Sequence, residues 1–311
     1  MNDPTNEITN KINSQPKPLT IGVFDSGFGG LTVLRALLPL IPNAHYIYLG
    51  DTARLPYGSK SRETIARYAV SSSRFLLDRG ADILVIACNT ATALALPEIK
   101  AAAAPIPVFG VVQPGAQAAL ASANYPTNDK KHHPQPSIEE PALSLSKGPV
   151  VSKEPNVLVL ATTATVQSHA YHLALTTLGL PATEKACPLL VPLVEEGWID
   201  HPVTAEVLRI YLLEALAEAP NANTLLLGCT HYPLLKPLIE TTLHNLHHPM
   251  HIIDSALATA QAVAAHLPPL TSTQPTTIDF YATDSIEKFQ HLGTSFLGQP
   301  LKEVKLLDLG G

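Results

Sequence analysis

Short apolar runs recur along this chain, separated by helix-patterned segments, and that alternation restricts the fold more than any other feature. Ile21 to Phe24, His45 to Leu49, Asp82 to Ala87, Val108 to Val112, Val157 to Leu160, Leu189 to Leu193, Leu225 to Leu227, Ile252 to Ile253 and Ile278 to Tyr281 read as strands. Leu31 to Leu40, Glu63 to Arg79, the segment after Ala87 through Lys100, Val166 to Leu178, Thr204 to Glu218, the Pro-bounded stretch from Leu234, Ala256 to His266 and Glu287 to His291 read as helices. A helical crossover returns the chain to lay the next strand parallel to the last. The expectation is an α/β protein with mostly parallel sheets. A length of 311 residues leaves room for about two domains.

Two stretches fall outside the alternation. Residues 1–18 are rich in Asn, Pro, Lys and Ser and read as a disordered tail. Residues 122–155 carry Pro126, Pro134, Pro136, Pro141, Pro149 and Pro155 around Lys130-Lys131-His132-His133, without a 3.6 or 2.0 period; they read as a Pro-rich surface loop, with a basic patch for a partner as the alternative. Composition excludes several classes. With 26 acidic and 20 basic residues, net charge −6, the chain lacks the basic balance of a general nucleic-acid binder. No basic segment followed by an apolar core opens the sequence, and the apolar stretch from Ile83 to Leu96 is broken by Cys88, Asn89, Thr90 and Thr92. Neither a signal peptide nor a membrane span is expected. Three cysteines, an odd number, suit reduced thiols and a cytoplasmic location better than a disulfide framework.

A weak internal repeat points to the site. Ile83 to Thr90 resembles Thr224 to His231: an apolar strand, then Cys88 or Cys229, then polar residues and a helix. Likewise Ile21 to Ser26 parallels Val157 to Thr162. Two similar halves, each with a cysteine at the carboxyl end of a strand, suggest a cleft between them, since ligands of open α/β sheets bind beyond those ends. A helix start or a nearby cation favours a thiolate. Cys88 and Cys229 therefore read as paired reactive thiols rather than two small buried hydrophobes, and Cys187, followed by Pro188 without the polar sequel, reads as structural. His231, two positions after Cys229, can protonate, deprotonate or orient that thiol, or bind a carboxylate. Glu195 can polarise a catalytic group.

Asp25-Ser26-Gly27-Phe28-Gly29-Gly30 is a Gly-rich turn after the first strand, and Asp51 lies where a ribose-binding acid would stand. A dinucleotide fingerprint would need glycine at Thr32, and Asp25 would set a negative charge beside a pyrophosphate. The alternative is that Asp25 holds an ammonium group or assists a thiol, while Ser26 and the turn hold a carboxylate. Tyr57 and Gly58 follow the second strand in a turn that allows close backbone approach. Thr162, Thr163 and Thr165 offer hydroxyls as an anion surface or a helix cap. His244, His247, His248 and His251 lack the ligand spacing of a defined zinc site, so no metal is expected.

Taken in order, Asp25-Ser26-Gly27-x-Gly29-Gly30, Pro56-Tyr57-Gly58, Cys88-Asn89-Thr90-Ala91 and Gly228-Cys229-Thr230-His231-Tyr232-Pro233 resemble the glutamate racemases of the aspartate/glutamate racemase superfamily, across nearly all of residues 20–300. The resemblance implies two pseudosymmetric three-layer α/β domains, at 19–112 plus 252–311 and at 113–251, with the active site between them. It implies no cofactor, Cys88 and Cys229 as the acid/base thiols, and Asp25, Glu195 and His231 as groups that assist them. Asp25, Ser26, Tyr57, Gly58, Asn89, Thr90, Thr162, Thr165, Thr230 and His231 become the substrate contacts. The substrate implied is L- or D-glutamate, the latter feeding peptidoglycan synthesis, and the assembly expected is a homodimer or a monomer–dimer equilibrium, with no membrane or nucleic acid required. The alternatives are an aspartate or related racemase, an NAD-binding oxidoreductase, and a non-catalytic glutamate-binding regulator.

Overall fold

The computed structural model describes residues 18–123, 156–268 and 273–310. The expected tail, up to Lys17, and most of the Pro-rich loop, residues 124–155, lie outside the described residues. In chain order the strands are β1 (Thr20–Asp25), β2 (His45–Gly50), β3 (Ile83–Ile86), β4 (Val108–Gly110), β5 (Val157–Ala161), β6 (Ala182–Ala186), β7 (Thr224–Gly228), β8 (His251–Asp254), β9 (Thr277–Ala282) and β10 (Val304–Leu306). They form a six-stranded sheet in the order β10-β9-β2-β1-β3-β4 and a four-stranded sheet in the order β6-β5-β7-β8. Every described pairing is parallel.

The repeat seen in the sequence has a geometric counterpart. β1 and β3 are neighbours in the first sheet, and β5 and β7 are neighbours in the second. These four strands are apolar on both faces because helices cover both: every residue of β1, β3, β5 and β7 is buried. Such strands anchor the core, since a fully buried Leu or Val side chain contributes about 1.5–3 kcal/mol. Helix Ser255–His266 packs against helix Leu31–Leu40 on one side and helix Val112–Ala123 on the other, joining the two sheets' helical layers. Among the described residues no helix is long and apolar enough to cross a membrane.

Several expectations shift. The run Leu189 to Leu193 is not a strand. It belongs to helix Leu190–Glu195, which buries Leu190 and Val194, four positions apart on one face. The strand lies earlier, at β6, whose half-buried Ala-Thr-Glu-Lys-Ala sequence shows no apolar pattern because it is a sheet edge. Strand Val108 to Val112 stops at Gly110, and a helix begins at Val112. β8 pairs with β7, so His251–Asp254 belongs to the second sheet, and helix Ser255–His266 follows it.

Candidate active site

In each sheet one central strand is followed by a neighbour on one side and then by a neighbour on the other: β1 lies between β2 and β3, and β5 between β6 and β7. The crossovers diverge there and leave a crevice at the carboxyl ends. Asp25 ends β1 and Cys88 follows β3 by two residues; Thr162 follows β5 and Cys229 follows β7. The two crevices share one cavity of about 440 Å³. The first sheet's side contributes Ser26, Tyr57, Gly58, Cys88, Asn89 and Thr90, and the second contributes Thr162, Glu195, Cys229, Thr230 and His231. The two expected residues that do not line it are Asp25, which lies behind Cys88 and Gly27, and Thr165, fully buried behind Thr90 and Thr162.

The two thiols have different surroundings. Cys88 is the N-cap of helix Asn89–Ala103, where Sγ accepts from the Ala91 N–H at 3.4 Å and lies 3.4 Å from Ser26 Oγ. Burial, reinforced by the Asp25 charge, pushes this thiol up to about 12. Asp25 accepts from the Gly27 N–H through Oδ1, while Oδ2 is buried without a hydrogen-bond partner among the described residues; burial raises its carboxyl above the usual range. Cys229 does not start an α-helix as the sequence suggested. A 3-10 turn, Tyr232–Leu235, intervenes before helix Lys236–Asn245. Its electrostatic partner is His231, whose Nδ1 lies 3.9 Å from Cys229 Sγ and whose Nε2 lies 3.1 Å from Glu195 Oε1. Burial opposes the imidazolium, but the sulfur and the carboxylate outweigh it and hold His231 at about 10. Glu195 is in turn kept low, against its own burial, by His231 and by Lys288, whose Nζ lies 3.8 Å from Oε2.

Hydroxyls close the gap between the halves. Thr90 Oγ1 lies 3.0 Å from Thr162 Oγ1 and 3.3 Å from Thr165 Oγ1, and Thr32 donates to the Thr230 carbonyl at 3.1 Å. The Gly-rich turn serves this contact. A Cβ at Gly29 would overlap Thr230 Oγ1 and the His231 ring, and one at Gly30 would overlap Asp25. These glycines admit a neighbouring turn rather than a pyrophosphate. Asp51, the ribose-acid candidate, is fully buried and accepts from Tyr57, Arg54 and Thr283. Tyr57 therefore faces the cavity with its hydroxyl already committed to Asp51. Among the described residues no group of three or more His, Cys, Asp or Glu side chains is arranged to hold a metal ion, and His248 instead bonds the Ala222 carbonyl.

Three residues of the site carried no readable signal. Lys288 and Thr32 sit in ordinary helices, and Tyr171, whose hydroxyl donates to Asn89 Oδ1 at 2.6 Å, lies in a helix of mixed pattern. Each acts across the interface between the halves, which local sequence patterning does not encode.

Comparison with known proteins places this geometry. The model of the Asp/Glu/Hydantoin racemase family matches residues 23–127. The chain is 46% identical to the glutamate racemase of Koribacter versatilis, over 96% of this chain and 100% of that one. It is 39% identical to the glutamate racemase of Aquifex aeolicus, over 91% and 96%. The crystal structure of Francisella tularensis glutamate racemase, in complex with D-glutamate, superposes with a TM-score of 0.77 at 32% identity, covering 94% of this chain and 98% of that one. With near-complete coverage at this identity, and with the same two-sheet arrangement, the chain belongs to the glutamate racemase family.

Proposed function

We propose that this chain interconverts L- and D-glutamate by proton transfer between two thiols, Cys88 and Cys229, without a cofactor. The observation that carries the reading is that the two cysteines occupy equivalent strand ends in the two halves and line one cavity, with unequal surroundings. Inverting a stereocentre by moving a proton requires a base on one face and an acid on the other. Cys88, held up by burial and Asp25, is the sulfur that keeps its proton. Cys229, whose Sγ lies 3.9 Å from Nδ1 of the His231 imidazolium, takes the role of the base toward L-glutamate.

The thiolate of Cys229 takes the α-proton of L-glutamate and becomes a thiol. Cys88 then gives its proton to the opposite face of the α-carbon and becomes the thiolate. The D-to-L direction starts from the enzyme with the proton on the other sulfur. Ser26, Asn89, Thr90, Thr162 and Thr230 supply hydrogen-bond donors for the substrate carboxylates, and Gly58 allows close backbone approach. Asp25, from behind Cys88, and His231 with Glu195, from the cavity wall beside Cys229, set the proton positions. The D-glutamate formed serves peptidoglycan synthesis. A homodimer or a monomer–dimer equilibrium is the assembly that goes with this reading.

Circular dichroism of L-glutamate incubated with the enzyme, and no added cofactor, tests the reading. The signal should decay to zero, the racemic endpoint, while L-aspartate keeps its signal. A persistent L-glutamate signal, or faster loss with L-aspartate, would overturn it.

A further inference from the structure

Tyr171 is completely buried in helix Ala170–Thr177 of the second half, and nothing in the proton-transfer scheme uses it. Its ring lies where glycines leave room. A Cβ on Gly228, the residue before Cys229, would come within 3.0 Å of Tyr171 Cε2, and one on Gly115 within 3.4 Å of Cε1. Its hydroxyl crosses to the other half and donates to Oδ1 of Asn89, the residue after Cys88, at 2.6 Å. One side chain thus touches both cysteine-bearing turns. Burial pushes the phenol above its ordinary range, so the hydroxyl keeps the proton it donates.

The consequence falls on Asn89. A primary amide has one acceptor end and one donor end. With Oδ1 taken by Tyr171, the donor end Nδ2 is fixed; it is buried, has no partner among the described residues, and belongs to a residue that lines the cavity. A buried donor without a partner costs stability unless a ligand satisfies it. We infer that Tyr171 is a positioning residue for substrate binding: through its hydroxyl it holds the Asn89 amide with Nδ2 presented to a carboxylate oxygen of the amino-acid substrate, and through its ring it ties that orientation to the Cys229 turn. This inference rests on the glutamate-binding reading of the cavity.

Tyr171→Phe, Asn89→Ala and the double variant test it by steady-state racemisation in both directions. The phenylalanine ring still fills the space between Gly115 and Gly228, so Tyr171→Phe removes only the hydroxyl. Free rotation of the amide weakens ground-state and transition-state binding alike, which raises KM and spares kcat. Tyr171→Phe should raise KM about tenfold with kcat within about threefold, and Asn89→Ala should raise KM about a hundredfold. The double variant should match Asn89→Ala within about twofold, because the hydroxyl acts only through the amide. Asn89→Asp keeps an acceptor for Tyr171 and turns the donor into an anionic oxygen; it should stay folded with a lowered thermal midpoint, because that buried oxygen has no partner among the described residues, and lose glutamate binding in calorimetry. Unchanged KM in Tyr171→Phe, a KM effect that multiplies in the double variant, or normal glutamate binding by Asn89→Asp would overturn the inference. Absence of racemisation by the wild-type chain would instead remove the reading on which it rests, and Tyr171 with it.

Discussion

His231 stands between Cys229 and Glu195 and meets each through a different ring nitrogen, with Nε2 3.1 Å from Glu195 Oε1 and Nδ1 turned to the sulfur. An imidazole held at about 10 carries protons on both nitrogens at neutral pH. It can then donate to the carboxylate and to the sulfur together. Among the described residues Cys88 has no such cation beside it. It has Asp25 behind it and a serine hydroxyl in front, and its proton stays on sulfur. In the mechanism proposed above, this asymmetry is what distributes one proton between two otherwise equivalent thiols.

Removing the carboxylate's charge should weaken the imidazolium. Glu195→Gln should lower kcat by about 10- to 100-fold, the range expected for losing a charge-assisted hydrogen bond. The sign of the pH effect follows from the contacts. Glu195 raises His231, so its loss lets the ring deprotonate earlier, and the alkaline limb of the kcat profile moves to lower pH. A profile whose alkaline limb stays in place would show that His231 does not set it.

Serine in place of either reactive thiol should abolish racemisation, because a hydroxyl is far too weak an acid to supply the missing alkoxide at neutral pH. Cys88→Ser and Cys229→Ser should each still remove a proton from one face of a substrate bearing a leaving group on the β-carbon, detected as halide release. Cys187→Ser should keep racemase activity: Cys187 is fully buried, does not line the cavity, and its Sγ turns to the Lys185 backbone carbonyl rather than to the site.

Gly29→Ala tests the closeness of the two halves. The added methyl overlaps Thr230 and the His231 ring, so the Cys229 turn must move away from the first half. Displacement on the scale of 1 Å costs about a hundredfold in rate when reacting groups must align. A loss of about that size in kcat is expected, measured alongside the thermal midpoint. Near-wild-type kcat in a folded Gly29→Ala variant would show that the contact is not needed.

The strand ends that carry the site were legible because β1, β3, β5 and β7 are buried on both faces, so each reads as an unbroken apolar run followed by a polar turn. Repetition of that pattern pairs Cys88 with Cys229 in the sequence alone. Leu189 to Leu193 misled for the same reason: a short apolar run has no length in which helical and extended periods separate. The edge strand β6, with Glu184 and Lys185 in it, left no apolar trace. The electrostatics of Cys229 was legible only in part. His231 is two residues away in sequence, whereas Glu195, at the end of helix Leu190–Glu195, meets His231 from 36 residues away, and Lys288, on helix Ile286–Leu297, pairs in turn with Glu195. Tyr171 was invisible, since its partner is 82 residues distant.

The reading also makes a chemical demand. If proton transfer runs between thiols alone, the protein should remain active after exhaustive chelation and should show no pyridoxal absorbance band. Dependence of activity on added metal or pyridoxal phosphate would contradict it.

The origin of the proton that reaches the product is the most direct test of the two-thiol account. L-glutamate carrying protium at the α-carbon is turned over in deuterium oxide, and product and residual substrate are separated at low conversion for mass or proton resonance measurement. The protein's thiols exchange with solvent before catalysis, so Cys88 delivers deuterium. The account predicts D-glutamate with deuterium at the α-carbon and residual L-glutamate that still carries protium. D-glutamate that retains the original α-proton would mean that one group removes and returns it, and would contradict the account.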